Sequence, residues 1–144
     1  MANAISGQCM CGAVRLTAVP RLDELHACHC ETCRRWTGSA MIVVEVAPED
    51  LQAAGPVRSR ASSDWAERAW CDDCGSPLWY HLTVPGHEFY AVSAGLFGET
   101  GLALTKEIYI DRKPAGYAFA GERIKLTKHE VEATFASFGE GDQQ

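Results

Sequence analysis

The chain has 144 residues, 47% of them hydrophobic and 22% charged, with a formal net charge of −6. No stretch approaches the ~20 continuous apolar residues of a membrane-spanning helix. Met1 to Gln8 has neither the basic cluster nor the apolar run of a secretory leader, so no membrane partner is expected and the cytoplasm is the expected location. The negative charge argues against nucleic acid as a partner, because that binding rests on a cationic surface.

The length fits a single domain, expected over residues 1–139 and followed by a disordered tail at 140–144. In chain order, Ala13 to Thr17 alternates and predicts a strand, and the β-branched run Met41 to Val46 predicts a buried one. Pro48-Glu49-Asp50-Leu51 predicts a helical turn stopped by Gly55-Pro56. Glu67 to Trp70, Leu78 to Leu82, Phe89 to Ser93 and Glu107 to Ile110 are further strand candidates, punctuated by glycines and prolines. Thr127-Lys128-His129-Glu130 fits a capping box. Val131, Phe135 and Phe138 then recur at helical spacing, with Gly139 placed to close a short C-terminal helix. The expected class is therefore mainly β, built around metal, with little helix.

The metal expectation comes from the cysteines. There are seven, an odd number, so they cannot all sit in intrachain disulfides, and the cytosol keeps thiols reduced. They fall into three clusters: Cys9-Met10-Cys11-Gly12, Cys28-His29-Cys30-Glu31-Thr32-Cys33 and Cys71-Asp72-Asp73-Cys74-Gly75. Zinc takes four ligands at tetrahedral corners, with Zn–S near ~2.3 Å. Cysteines one to three residues apart reach adjacent corners without strain. Gly12 and Gly75 let the chain turn and aim backbone N–H groups at the sulfurs. Cys9, Cys11, Cys71 and Cys74 make one closed, structural site. Cys28, Cys30 and Cys33 remain as a second zinc site with an open fourth corner, as in catalytic zinc sites. Spacing alone leaves open a site from Cys9, Cys11, Cys28 and Cys30, and a triplet closed by His26 or His29. No glycine-rich nucleotide loop is present, and zinc is the one cofactor suggested.

Three stretches carry a family resemblance: Gly7-Gln8-Cys9-Met10-Cys11-Gly12-Ala13-Val14, Cys28-His29-Cys30-Glu31-Thr32-Cys33-Arg34 and Trp70-Cys71-Asp72-Asp73-Cys74-Gly75-Ser76-Pro77-Leu78. In order and spacing the chain resembles the glutathione-dependent formaldehyde-activating (GFA) family, which includes centromere protein V-like domains. The resemblance implies several coiled antiparallel sheets, a fold shared with a small zinc-binding chaperone of Rab GTPases. It implies a structural zinc on Cys9, Cys11, Cys71 and Cys74, and a second, more labile zinc on Cys28, Cys30 and Cys33. It also implies a carbon–sulfur lyase whose partners are a small thiol such as glutathione and an aldehyde, as in S-(hydroxymethyl)glutathione. Ile108 to Pro114 looks like the family's later motif, but Gly116-Tyr117 follows where a Trp is usual. His29 is a candidate to orient the ligands or move a proton, and Arg34 and Arg35 are candidates to pair with glutathione carboxylates. Trp36, Trp65, Trp70 and Trp79 read as core or pocket wall. The competing functions are a non-catalytic zinc-binding module for a protein partner and a thiol redox sensor.

Overall fold

A computed structural model describes residues 3–142, with side chains as far as Ser137. Ten strands dominate: β1 (Ile5–Gln8), β2 (Arg15–Pro20), β3 (Glu24–Cys28), β4 (Met41–Ala54), β5 (Val57–Ala61), β6 (Ala66–Cys71), β7 (Pro77–Leu82), β8 (Phe89–Ser93), β9 (Ala103–Ile108) and β10 (Ile124–Leu126). Helix α1 (Glu31–Thr37) follows β3, and α2 (Lys128–Asp142) ends the described chain.

The fold is mainly β, as expected, but the strands join in one continuous mixed sheet, ordered β10-β9-β3-β4-β8-β7-β6-β5, with β1 and β2 attached at β4. β9 runs parallel to β3 and to β10, and the other ladders are antiparallel.

β4 is the spine. The run Met41-Ile42-Val43-Val44-Glu45-Val46 pairs with β3 on one edge and β8 on the other, and most of its side chains are buried, as a central β-branched strand requires. Its second half leaves those neighbours and pairs with β2 through Leu51 to Ala54. The expected helical turn at Pro48 is therefore strand. The register jumps there, from Pro20 opposite Val46 to Ala18 opposite Leu51. Pro48 sits in this bulge, where its missing N–H breaks no ladder bond.

The strand expected at Glu107 to Ile110 also ends early. Tyr109 adopts a left-handed conformation, φ 56°, and a 3-10 turn over Ile110–Arg112 follows. The capping box at α2 is formed: Thr127 N–H donates to Glu130 Oε1 at 2.8 Å, and Glu130 N–H donates to Thr127 Oγ1 at 3.2 Å. Gly139 does not close the helix, which continues to Asp142. The Phe138 side chain and residues 143–144 of the expected tail lie outside the described residues.

Two clusters of buried side chains result. The larger packs Val14, Leu16, Val44, Val46, Leu78, Trp79 and Val92 around Cys9 and Cys71. The smaller packs Met41, Val43 and Ala91 around Cys33, with Cys28, Cys30, Trp36 and Tyr80 against it.

Candidate metal centres and the adjoining cavity

The sheet gathers the cysteines into two groups. Cys9, Cys11, Cys71 and Cys74 form one, with all four sulfurs within 4.8 Å of one another, and Cys28, Cys30 and Cys33 form the other under the same limit. The alternative grouping of Cys9 and Cys11 with Cys28 and Cys30 does not occur.

Each pair of the four-sulfur centre sits on a tight turn. Cys9 N–H bonds the Val14 carbonyl, Gly12 N–H bonds the Cys9 carbonyl, and Gly75 N–H bonds the Cys71 carbonyl. Gly12 and Gly75 have φ of 80° and 79°, a region that glycine enters without steric cost. The turns aim backbone donors at sulfur: Val14 N–H at Cys9 Sγ (3.2 Å) and Cys74 N–H at Cys71 Sγ (3.5 Å). Ser76 Oγ lies 3.1 Å from Cys74 Sγ and accepts the Met10 N–H, and hydrogen bonds from Ser76 hold the Cys74 thiol down to about 5. Sulfurs at tetrahedral corners ~2.3 Å from one ion stand ~3.8 Å apart. Here Cys9 and Cys11 are 3.6 Å apart and Cys11 and Cys71 are 3.9 Å apart, so the donor set fits one closed tetrahedral metal ion.

The three-sulfur centre is built differently. Cys28 ends β3. Cys30 is the N-cap of α1, its sulfur accepting the Cys33 N–H at 3.4 Å, and Gly38 in the left-handed conformation ends the helix. A helix N-terminus favours thiolate. Cys30 is pulled well below the ordinary thiol range by hydrogen bonds from the Cys28 and Cys33 thiols, assisted by the Cys33 N–H and the Arg68 guanidinium. Cys28 is pushed far up by the same sulfur contacts and by burial. Three thiol ligands fit a metal ion with one corner left over.

No histidine completes this centre among the described residues. His29 is fully buried and its Nε2 is 2.7 Å from Glu107 Oε1. Arg123 Nη1 donates to Glu107 Oε2 at 2.7 Å. His26 lies between Glu24 and Glu45, at 3.2 and 3.3 Å. His29 Nδ1 has no partner, and the imidazole ring lies beside Tyr117 and Phe119, with ring centroids 6.3 and 5.9 Å away.

The arginines expected to hold carboxylates are engaged elsewhere. Arg34 Nε donates to the His29 carbonyl at 3.0 Å, and Arg35 pairs with Glu31 on the exposed side of α1. The arginine that meets the cysteines is Arg68, whose Nη2 donates to Cys33 Sγ at 3.6 Å. It lines a cavity of about 560 Å³ with Trp36, Arg60, Ser62, Trp70 and Gly75, a size within the usual small-ligand range of ~300–1,000 Å³. Trp36 and Trp70 are the expected pocket wall and Trp79 is core, but Trp65 is left 52% exposed. Tyr109 stands near all three sulfurs. Burial, with Glu132 and the cysteines adding to it, pushes its phenol up to about 12.

The comparisons decide the family. A model of the glutathione-dependent formaldehyde-activating enzyme matches residues 4–112. The chain belongs to this GFA family. An uncharacterized lyase of Schizosaccharomyces pombe is 35% identical over 127 residues, covering 87% of this chain and 92% of that protein. A crystal structure of a Rhodobacter sphaeroides protein superposes with a TM-score of 0.57 at 20% identity, over 85% of this chain and the whole of that one; this likeness concerns the fold alone. Family and lyase relative together support a lyase-type, glutathione-related function. No helix among the described residues is long and apolar enough to cross a membrane.

Arg68, Glu107 and Tyr109 are the site residues that motif reading misses. For Arg68 a signal existed: it shares an inward-facing side of β6 with Ala66, where an arginine is out of place without a task. For Tyr109 the deciding feature is a backbone dihedral, which no residue pattern announces.

Proposed function

We propose that this GFA protein is a zinc-dependent carbon–sulfur lyase that makes and breaks the adduct of a small thiol, such as glutathione, with an aldehyde, as in S-(hydroxymethyl)glutathione. Cys9, Cys11, Cys71 and Cys74 would hold a structural zinc, and Cys28, Cys30 and Cys33 a second, exchangeable one, within one zinc-binding domain over residues 1–139. The observation that carries the reading is the three-sulfur cluster with a corner to spare, beside a cavity that Arg68 joins to Cys33. A closed scaffold site has no use for an unfilled corner.

Zinc in the triplet would supply thiol activation at neutral pH rather than carbonyl polarisation, because three protein thiolates blunt its Lewis acidity. In the forward direction the substrate sulfur bonds to the aldehyde carbon. The carbonyl π pair moves to oxygen, and the proton given up by the thiol ends on that oxygen; cleavage is the reverse. The chain's own residues orient and shelter these atoms. Trp36 and Trp70 wall the cavity. Tyr109 stays protonated at neutral pH, so its hydroxyl can donate a hydrogen bond but cannot act as base. His29, held by Glu107, fixes the loop that carries Cys28 and Cys30.

The test is exchange between glutathione plus formaldehyde and their adduct, followed by NMR exchange spectroscopy. Catalysed exchange should fall at least hundred-fold toward the uncatalysed rate in Cys30→Ala, with thermal unfolding and the metal of the four-sulfur centre retained. Exchange in the wild type no faster than in buffer, or unchanged in Cys30→Ala, rejects the lyase reading.

A further inference from the structure

β5 and β6 place Arg60 directly opposite Arg68. Directly opposed residues of an antiparallel pair project to one face, and like charges there destabilise the pair. Both arginines line the 560 Å³ cavity. Arg68 is only 8% exposed, and its guanidinium is clamped between two rings, with Cζ 5.0 Å from the Trp36 centroid and 5.1 Å from that of Tyr80. Aromatic faces hold the flat cation in one orientation. Nη2 reaches Cys33, while Nε and Nη1 have no partner. Among the described residues no carboxylate pairs with either arginine.

A cation buried beside another cation, with donors unspent, is costly to keep. The arrangement is explained if the missing acceptor arrives with a ligand. The chain's net charge of −6 repels polyanions at range, and two guanidinium groups match the one or two carboxylates of a small organic acid. Arg68 Nη2 itself stands 3.6 Å from Cys33 Sγ, so an acid held there lies next to the cysteine cluster. An extended peptide spans ~3.3–3.6 Å per residue, so a thiol peptide of two or three residues can set its sulfur beside Cys33 and a terminal carboxylate on the arginines.

We propose that Arg68 and Arg60 form a carboxylate-recognition site that restricts the lyase to thiols bearing their own carboxylate, anchored between Trp36 and Trp70. The identity of the ligand as a thiol rests on the lyase reading; the anion site itself does not. The competing explanation is that Arg68 serves only as a charge partner of the cysteine cluster.

The experiment titrates the zinc-loaded full chain with S-methylglutathione, which keeps both carboxylates but has no ionisable thiol, and with its diethyl ester, following tryptophan fluorescence. The acid should bind the wild type at least ten-fold more tightly than the diester. Arg60→Gln, at an exposed position where misfolding is no explanation, should shrink that ratio several-fold. Arg68→Lys should retain part of it and Arg68→Gln should erase it. Equal binding of acid and diester by the wild type, absence of binding included, overturns the proposal. So does a ratio that survives in Arg60→Gln and Arg68→Gln, including the case in which Arg68→Gln merely loses the triplet's metal. Glutathione titrated alongside separates the two readings. Acid-over-ester preference with no gain from the free thiol sinks the lyase reading alone, and a thiol-dependent gain without that preference sinks the anion site alone.

Discussion

The two cysteine centres use the same ligand atom in opposite settings. In the four-sulfur centre, backbone donors of two tight turns and the Ser76 hydroxyl beside them meet the sulfurs, and Cys9 and Cys71 are rooted in the larger core cluster. In the three-sulfur centre, the ligands sit on a strand end and a helix N-terminus, where the Cys33 N–H meets Cys30 and a charged side chain, Arg68, also touches the cluster. Backbone donors are fixed by the fold and stabilise a charge that never changes. Side-chain donors can be matched to a ligand that comes and goes. The contrast teaches that ligand count alone does not separate a structural from a reactive site; the origin of the second layer of hydrogen bonds does.

If that contrast holds, breaking the first centre should break the protein. Cys71 is fully buried in the large cluster, and structural thiolate sites contribute ~10–16 kcal/mol to folding in small metal-dependent peptides. Cys71→Ser is therefore expected to abolish the cooperative thermal transition, read by circular dichroism together with metal content per chain. A cooperative transition with wild-type midpoint would mean that the sheet, not the metal, holds β1 and β2 to β6.

The second prediction compares the centres directly. A chromogenic chelator should strip metal in two phases, the fast one removed by Cys30→Ala and the slow one coinciding with unfolding. One phase, or a fast phase that persists in Cys30→Ala, would erase the distinction between the centres.

Next in size is the buried network behind the three-sulfur centre. Glu107 is 2% exposed and is the common partner of His29 and Arg123. Removing one member of a buried charge network costs about 3–5 kcal/mol. Glu107→Gln should lower the denaturant-unfolding free energy by that order and accelerate the fast chelation phase, because His29 lies between two ligands. The slow phase should keep its link to unfolding. A loss of stability with unchanged fast release would make the network a packing device only.

Much of this was legible from residue spacing, for a physical reason. Metal ligands are constrained locally, so Cys9-x-Cys11-Gly12 and Cys71-x-x-Cys74-Gly75 announce their turns. The β-branched run at Met41 and the capping box at Thr127 are equally local. What escaped depends on distant partners. Helix α1 is short, capped by a cysteine rather than a usual capping residue, and tied down by the cluster it serves. Pro48 reads as a helix start until β2 is known to lie beside a bulge. Arg68 is an ordinary polar residue until Arg60 of β5 and Trp36 and Cys33 of α1 are brought to it. Arg34 and Arg35, by contrast, looked available because sequence does not show that the His29 carbonyl and Glu31 already hold them.

The smallest effect concerns a histidine near neither sulfur cluster's ligand atoms in role, yet on the same strand as Cys28. His26 is nearly buried, with Glu24 and Glu45 on its two ring nitrogens, and Lys106 of β9 is the cation facing it. The hydrogen bond to Glu45 raises its pKa above the usual value near ~6.5. Thr105 and His26 hold Glu24 below the usual carboxylate range, and His26 holds Glu45 there against the cost of burial. A raised histidine contributes stability that is complete below its unfolded pKa and is lost as pH rises through the folded one; a depressed carboxylate contributes above its unfolded pKa and loses it as pH falls through the folded one. The cluster therefore stabilises fully only between the ordinary carboxylate range and about pH 6.5. Cysteine titration also bends the stability curve, so the quantity to measure is the difference between wild type and His26→Gln in urea at pH 5.5 and 8.5. That difference should be larger at pH 5.5. If it is the same at both, His26 has the same pKa in the folded and the unfolded chain, and Glu24 and Glu45 do not stabilise its charge.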